Sequence, residues 1–274
     1  MRRLIPPHRT SRPFTDRIPS YLLYLFCGLV FFYLIMPILI VIPMSFSSAR
    51  FLKFPPPGFS LQWYKNYLMS RDWMEATYVS LKVASATTLI STFLGTLLAF
   101  ALVRGRFPGK NLIYSFAVSP MIVPLIILAI AIYFFYSELK LVGTLLGMTA
   151  AHTILATPFV LVIVSSNLKG FDETLERAAL SLGASPFKTF LWVTLPIIKP
   201  GVISGAFFAF ITSFDELVIA IFIAGTHAVT LPKRMWDGIR LEIDPTISAV
   251  SSIFIGLSVL LMVFTEFLRR RRKT

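Results

Sequence analysis

The chain has 274 residues, of which 56% are apolar and only 14% charged, against about 25% charged in an ordinary soluble domain. With a mean hydropathy of +0.76, its charged shell is too thin for a soluble enzyme of this size, and lipid is the expected solvent. Its 26 phenylalanines exclude disorder and its single cysteine, Cys27, excludes a disulfide scaffold, while a net charge of +13 spread between apolar runs argues against nucleic acid.

A basic tail, residues 1–20, leads into a first predicted span at about Tyr21–Phe46. That apolar run exceeds the 7–15 residues or so of a signal peptide, and no small-x-small cleavage site follows, so it reads as an uncleaved span. The segment Ser47–Glu75 then carries Pro55, Pro56, Pro57 and Gly58, followed by Trp63, Tyr64, Tyr67 and Trp73. Consecutive prolines hold an extended backbone and aromatics favour the membrane interface, as a simple anchor or as a docking surface for an external partner. Spans two, three and four are expected at about Ala76–Val103, Leu112–Tyr136 and Thr144–Leu168. Pro120 and Pro124 stand four apart on one face of span three and free backbone groups there. With Pro158 in span four, they are candidate kinks or gate hinges.

Between spans four and five lies a long polar loop, about Lys169–Pro200. Asp172, Glu173 and Glu176 open a helical segment at the end where carboxylates favour the dipole. Ala178, Ala179, Leu180 and Leu182 continue it, and Gly183 with Pro186 stops it. A second short helix is expected from Pro186 to Val193, ending at Leu195-Pro196. Span five, about Gly201–Ala224, carries Ser213, Asp215 and Glu216, and span six covers about Ile247–Phe267. The run Arg269–Lys273, in a tail of residues 269–274, fits a stop-transfer signal and an anchor to lipid headgroups.

Six spans place both termini on one side. That side would hold Arg2, Arg3, Arg9, Arg12, Arg17, Arg104, Arg106, Lys110, Lys169, Arg177, Lys188, Lys199 and the Arg269–Lys273 run, 17 in all. The other side holds Arg50, Lys53, Lys65, Arg71, Lys140, Lys233, Arg234 and Arg240, 8 in all, and Lys82 lies within a span. The excess places both termini in the cytoplasm.

Adjacent carboxylates inside an apolar span cost about 2.5–3.5 kcal/mol each at its centre. Asp215 and Glu216 therefore line a water-filled path for a cation, or pair with a basic group, or lie near an interface. Successive helical residues point about 100° apart, so the two cannot face the same way. His152 reads as a packed, hydrogen-bonded histidine rather than a metal ligand or proton relay. Glu138 and Glu266 fall near span ends and read as interfacial. No hydrolytic Ser-His-Asp trio and no Gly-x-x-x-x-Gly-Lys-Ser/Thr phosphate loop occurs.

The stretch Glu176-Arg177-Ala178-Ala179-Leu180-Ser181-Leu182-Gly183-Ala184-Ser185, with Leu195-Pro196 twelve residues beyond Gly183, resembles the EAA loop of permease subunits in binding-protein-dependent ABC importers. Arg177 departs from the pattern, standing where a glutamate is usual, with Glu176 one residue earlier. Pro120, Pro124, His152, Pro158-Phe159-Val160, Ser213-Phe214-Asp215-Glu216 and Thr230-Leu231-Pro232 resemble the polyamine branch of that family. The resemblance covers roughly residues 72–268, within a membrane domain expected over 21–268.

The resemblance implies an all-α, six-span type I ABC importer permease in the inner membrane. Its implied partners are two cytoplasmic ATPase subunits, a second homologous permease subunit and a periplasmic solute-binding protein, besides membrane lipid. Glu176, Arg177, Ala178, Ala179, Gly183, Ala184, Leu195 and Pro196 would form the contact with the ATPase, and Ser213, Asp215 and Glu216 the substrate path. ATP and Mg would bind the partner ATPase, leaving this chain without a cofactor and not itself an enzyme. Spermidine or putrescine is the implied cargo, with opines and amino-acid-like amines open. A secondary transporter is the rival, and would need no cytoplasmic docking loop.

Overall fold

Long apolar runs without interior charge can satisfy their backbone in lipid only as helices or a closed barrel, and this chain uses helices. A computed structural model describes residues 18–242 and 244–271, with side chains for 21–240 and 244–260. The basic tail up to Arg17 and the side chains of Glu266 and Arg269–Lys273 lie outside that description. The described chain divides into two units, residues 18–67 with 244–271, and residues 68–242.

The first unit contains α1 (Ile18–Ser45), α2 (Gln62–Met69, whose last two residues belong to the second unit) and α12 (Thr246–Arg271). Every side chain from Tyr21 to Leu39 is exposed, as in a helix that is apolar on all sides because lipid surrounds it. Ser45 and the Tyr64 hydroxyl share a hydrogen bond of 2.7 Å, and Asn66 Nδ2 donates to Thr246 Oγ1 at 2.8 Å. The proline-rich segment is pinned back on the end of α1, with Ser48 N–H donating to Gly58 C=O at 2.9 Å and Ser60 N–H to Phe46 C=O at 2.6 Å.

The second unit is built from α3 (Arg71–Arg104), α4 (Lys110–Val118), α5 (Leu125–Glu138), α6 (Leu145–Lys169), α7 (Thr174–Ser181), α8 (Pro186–Thr189), α9 (Leu195–Phe214), α10 (Val218–Ile223) and α11 (Leu231–Asp237). Helix α6 is its axis. Ala156, Val160, Leu161, Val164 and Leu168 of α6 pack with Ala99 and Leu102 of α3 and with Ile198 and Ala209 of α9. A second cluster joins Met148, Ala151 and Leu155 of α6 to Ile132 and Tyr136 of α5 and to Ile219 and Ile223 of α10. Close approach of α3 and α6 depends on Gly95, where a Cβ would lie 2.6 Å from Val160 Cβ. Lipid offers no hydrophobic drive between helices, so contact of this kind holds them together.

Among the described residues, four helices are long and apolar enough to cross a membrane: Tyr21–Ser45, Arg71–Arg104, Leu145–Lys169 and Pro186–Phe214. The expected third span is instead a bent pair, Lys110–Met121 and Leu125–Glu138, turning by 101°. Pro120 sits in the 3-10 turn that ends the first arm, and Pro124 caps the second. Neither proline can donate a backbone N–H, so the ladder stops between them. The pair still traverses the bundle once. Arg104, closing α3, lies against Glu173 just beyond α6 at 2.8 Å, so α3 and α6 end together and α4–α5 must return the chain to the far end. There Gly143 N–H donates to Ile223 C=O at 2.8 Å and Leu231 N–H to Ser80 Oγ at 2.7 Å.

Two other expectations change. The second loop helix does not stop at Leu195-Pro196: a π turn over Phe190–Thr194 links α8 to α9, and Leu195 N–H reaches back to Phe190 C=O. The widened turn takes up the proline ring that would clash in a regular helix. The expected fifth span, in contrast, is interrupted, with α9 ending at Phe214 and α10 starting at Val218.

Candidate functional site: the helix break and the polar loop

The break after α9 falls on the acidic pair. Asp215 closes α9 by donating its N–H to Ile211 C=O at 3.0 Å, and its side chain is exposed. Glu216 points the other way and is 6% exposed. Its carboxylate accepts the N–H of Ile219 at 3.1 Å and of Ala220 at 3.2 Å. These are donors that the start of any helix leaves without an intrahelical partner. Both donors are buried at the start of short, apolar α10, and the carboxyl group at its positive end satisfies them.

Glu216 has a second neighbour. His152 of α6, fully buried, places Nε2 3.7 Å from Glu216 Oε2, and its Nδ1 shares a 2.9 Å hydrogen bond with Ser213 Oγ. The three residues therefore tie α6 to both sides of the break. Ser213 and Glu216 lie within this buried contact, and of the three expected path residues Asp215 alone presents a carboxylate at the surface. The expected packed histidine is found, and no group of three or more His, Cys, Asp or Glu side chains is placed to hold a metal among the described residues. Pro158 lies inside an unbroken α6 and does not bend the chain as Pro120 and Pro124 do.

The polar loop lies at the opposite end of this unit, where α3 and α6 finish. Asp172 Oδ1 accepts the Thr174 N–H at 2.9 Å as α7 begins. That bond holds the Asp172 carboxyl below its ordinary pKa, with the positive charge of Arg177 a minor cause. Ala178, Ala179, Leu180 and Leu182 continue the chain to Gly183, whose φ of +88° makes the joint. Ser185 then caps α8, its hydroxyl accepting the Lys188 N–H at 3.3 Å. Leu182, Phe187 and Trp192 are 89%, 72% and 75% exposed, apolar side chains held out around that joint.

The two glutamates of the loop behave differently from its arginine. Glu176 turns inward, 3.0 Å from Arg104 Nε, and accepts a hydrogen bond from Thr194 Oγ1 at 2.7 Å. Arg177 stays on the outer surface, paired with Glu173 one turn back at 3.2 Å. Arg177 thus takes no part in the inward contacts, which Glu176 makes. Arg104, Glu173 and Thr194 were not distinguishable in the sequence, because the ion pair closes over a separation of about seventy residues. The spacing of Glu216 before a short apolar helix was a signal that hydropathy averaging hid.

Residues 91–274 match the family described as binding-protein-dependent transport system inner membrane component. Over 247 residues the chain is 34% identical to the putrescine transport system permease protein PotI of Escherichia coli K12, covering 88% of this chain and 87% of PotI. It is 31% identical over 245 residues to the spermidine/putrescine transport system permease protein PotC of the same strain, covering 89% and 92%. Among solved structures, a bacterial ABC transporter involved in import of the acidic polysaccharide alginate superposes with a TM-score of 0.76 at 14% identity, covering 96% of this chain and 99% of that one. The MetNI methionine ABC transporter superposes with a TM-score of 0.55 at 21% identity, covering 75% and 100%.

Proposed function

Because the chain belongs to the family of inner membrane components of binding-protein-dependent transport systems, we propose that it forms one half of the path of an ATP-driven polyamine importer. It is an ABC transporter permease, a multi-pass protein of the inner membrane. Its substrate in this proposal is putrescine, spermidine or a related organic cation, as the names of its relatives indicate. Six crossings with both termini in the cytoplasm are supported by the excess of basic residues on that side and by the single traverse of α4–α5.

Two cytoplasmic ATPase subunits bind and hydrolyse ATP with Mg, a second permease subunit completes the path, and a periplasmic protein delivers the solute. The observation that carries this reading is the loop at Gly183. Its exposed Leu182, Phe187 and Trp192 are apolar side chains on a polar loop that this reading places outside the lipid, and such side chains want a protein groove. Glu176, Ala178, Ala179 and Ala184 give the loop its shape, Arg177 stands on its outer face, and Leu195-Pro196 passes its movement into α9.

The cargo carries two or more positive charges, and moving them through a low-dielectric bundle needs fixed negative charge beside the path. Asp215, exposed at the end of α9, supplies it, while the Pro120–Pro124 bend of α4–α5 is the gate hinge. Binding need not be tight, since a path must release what it passes. The test is uptake of labelled putrescine and spermidine by the complete transporter with Asp215→Asn. The expected result is slower cation uptake with unchanged assembly and ATP hydrolysis, and parental uptake would remove Asp215 from the path.

A further inference from the structure

Arg104 is the last residue of α3, and its guanidinium gathers the start of the loop. It lies 2.8 Å from Glu173 and 3.0 Å from Glu176, its Nη2 donates to Phe171 C=O at 3.4 Å, and it stacks 5.4 Å from the Phe171 ring centre. Glu176 uses its other oxygen on Thr194, in the π turn that runs into α9. The loop is therefore fastened twice, by the covalent path through α8 into α9 and by this ion pair onto α3.

We propose that Arg104 and Glu176 are positioning residues that make α3 and α9 move as one with α7, so that a push on the loop reaches both spans together. The inference rests on the reading of residues 169–200 as the ATPase contact. Side-chain exposures of 12% and 13% distinguish the pair from an ordinary surface ion pair, which contributes little. A planar guanidinium can hold two carboxylates at once, which a lysine ammonium does with poorer geometry. The joint also borders a cleft of about 840 Å³ lined by Lys110, Tyr114, Ser165 and Lys169.

The experiment uses the complete transporter in proteoliposomes, reading solute moved per ATP hydrolysed and the ATPase copies retained on purification. Arg104→Gln should keep both ATPase copies and their hydrolysis yet move about fivefold less solute per ATP, or less still, the size of a typical coupling between sites. Arg104→Lys should fall between the two. The exchange Arg104→Glu with Glu176→Arg, made in a Glu173→Gln background so that the new carboxylate does not face the Glu173 carboxylate 2.8 Å away, should recover most of the parental ratio, which a purely local packing role would not. A parental ratio in Arg104→Gln overturns the proposal, and so does loss of the ATPase that the exchange fails to restore. Gly183→Trp measured alongside separates the two levels. If that variant too is parental in ATPase retention and uptake, the loop is not the ATPase contact; if it uncouples while Arg104→Gln does not, only the joint fails.

Discussion

Replacing Glu216 by alanine should damage the protein's stability far more than its selectivity. The change removes the acceptor of two buried backbone donors, Ile219 N–H and Ala220 N–H, at 3.1 and 3.2 Å. A buried donor left without its partner costs about 1–3 kcal/mol, so the two together set a loss of about 2–6 kcal/mol. It also takes away the carboxyl group 3.7 Å from His152 Nε2, while the Nδ1 bond to Ser213 remains. Glu216→Gln keeps one acceptor oxygen and should lose roughly half as much. The assay is thermal unfolding of the purified transporter in detergent, with membrane level as a second readout. A loss of this size should lower the midpoint by about ten degrees or more, whereas Asp215→Asn, at an exposed site, should leave it within a degree or two of the parent. Equal midpoints for Glu216→Ala and the parent would mean that the carboxylate does not cap α10, and the buried reading of Glu216 would fall.

Gly183→Val should force a β-branched residue to φ +88° at a cost of about 1–2 kcal/mol; among the described residues, chain neighbours aside, no atom lies within 4 Å of the new Cβ, so a loss of ATPase retention on purification greater than that of the equally strained Gly183→Ala would report the partner, and normal retention would count against the loop. Gly95→Leu should drive α3 off Val160 and cost about 1–3 kcal/mol, seen as a lower unfolding midpoint, and an unchanged midpoint would contradict the close approach. Arg177→Glu gives up an exposed pair with Glu173 and sets like charges one turn apart, each effect about 0.2–0.5 kcal/mol, so uptake should be unchanged. Asp172, held below its ordinary pKa by the Thr174 N–H, stabilises the start of α7 above the ordinary carboxylate pKa and loses that contribution as pH falls through the depressed value. Its carboxyl carbon shift should titrate below that of an exposed aspartate, and a midpoint at or above the ordinary value would rule out the cap.

Hydropathy made α1, α3 and α6 legible because each is one uninterrupted apolar run. It could not show where a run breaks. A window of span length averages over Asp215-Glu216, so the fifth span looked continuous where the structure has α9, a gap and α10. The same averaging hid the 101° turn of α4–α5, although Pro120 and Pro124 marked its place. Pro196 pointed to a helix end that the π turn over Phe190–Thr194 bypasses, because proline rules assume regular hydrogen bonding. In the polar loop, small residues and Gly183 announced a first short helix and a joint, which the structure has, whereas the second helix runs on into α9. Arg104 looked like one more topological charge, since its carboxylate partners come close only once α3 and α6 have packed.

The central claim is that this chain carries the path and other subunits supply the energy. The most direct measurement is flux of labelled putrescine into proteoliposomes containing this chain alone, or this chain with its second permease and ATPase subunits, with binding protein and ATP added in turn. No flux is expected from the isolated chain, and uptake by the full assembly only when binding protein and ATP are both present. Flux through the isolated chain driven by an ion gradient without ATP would contradict it.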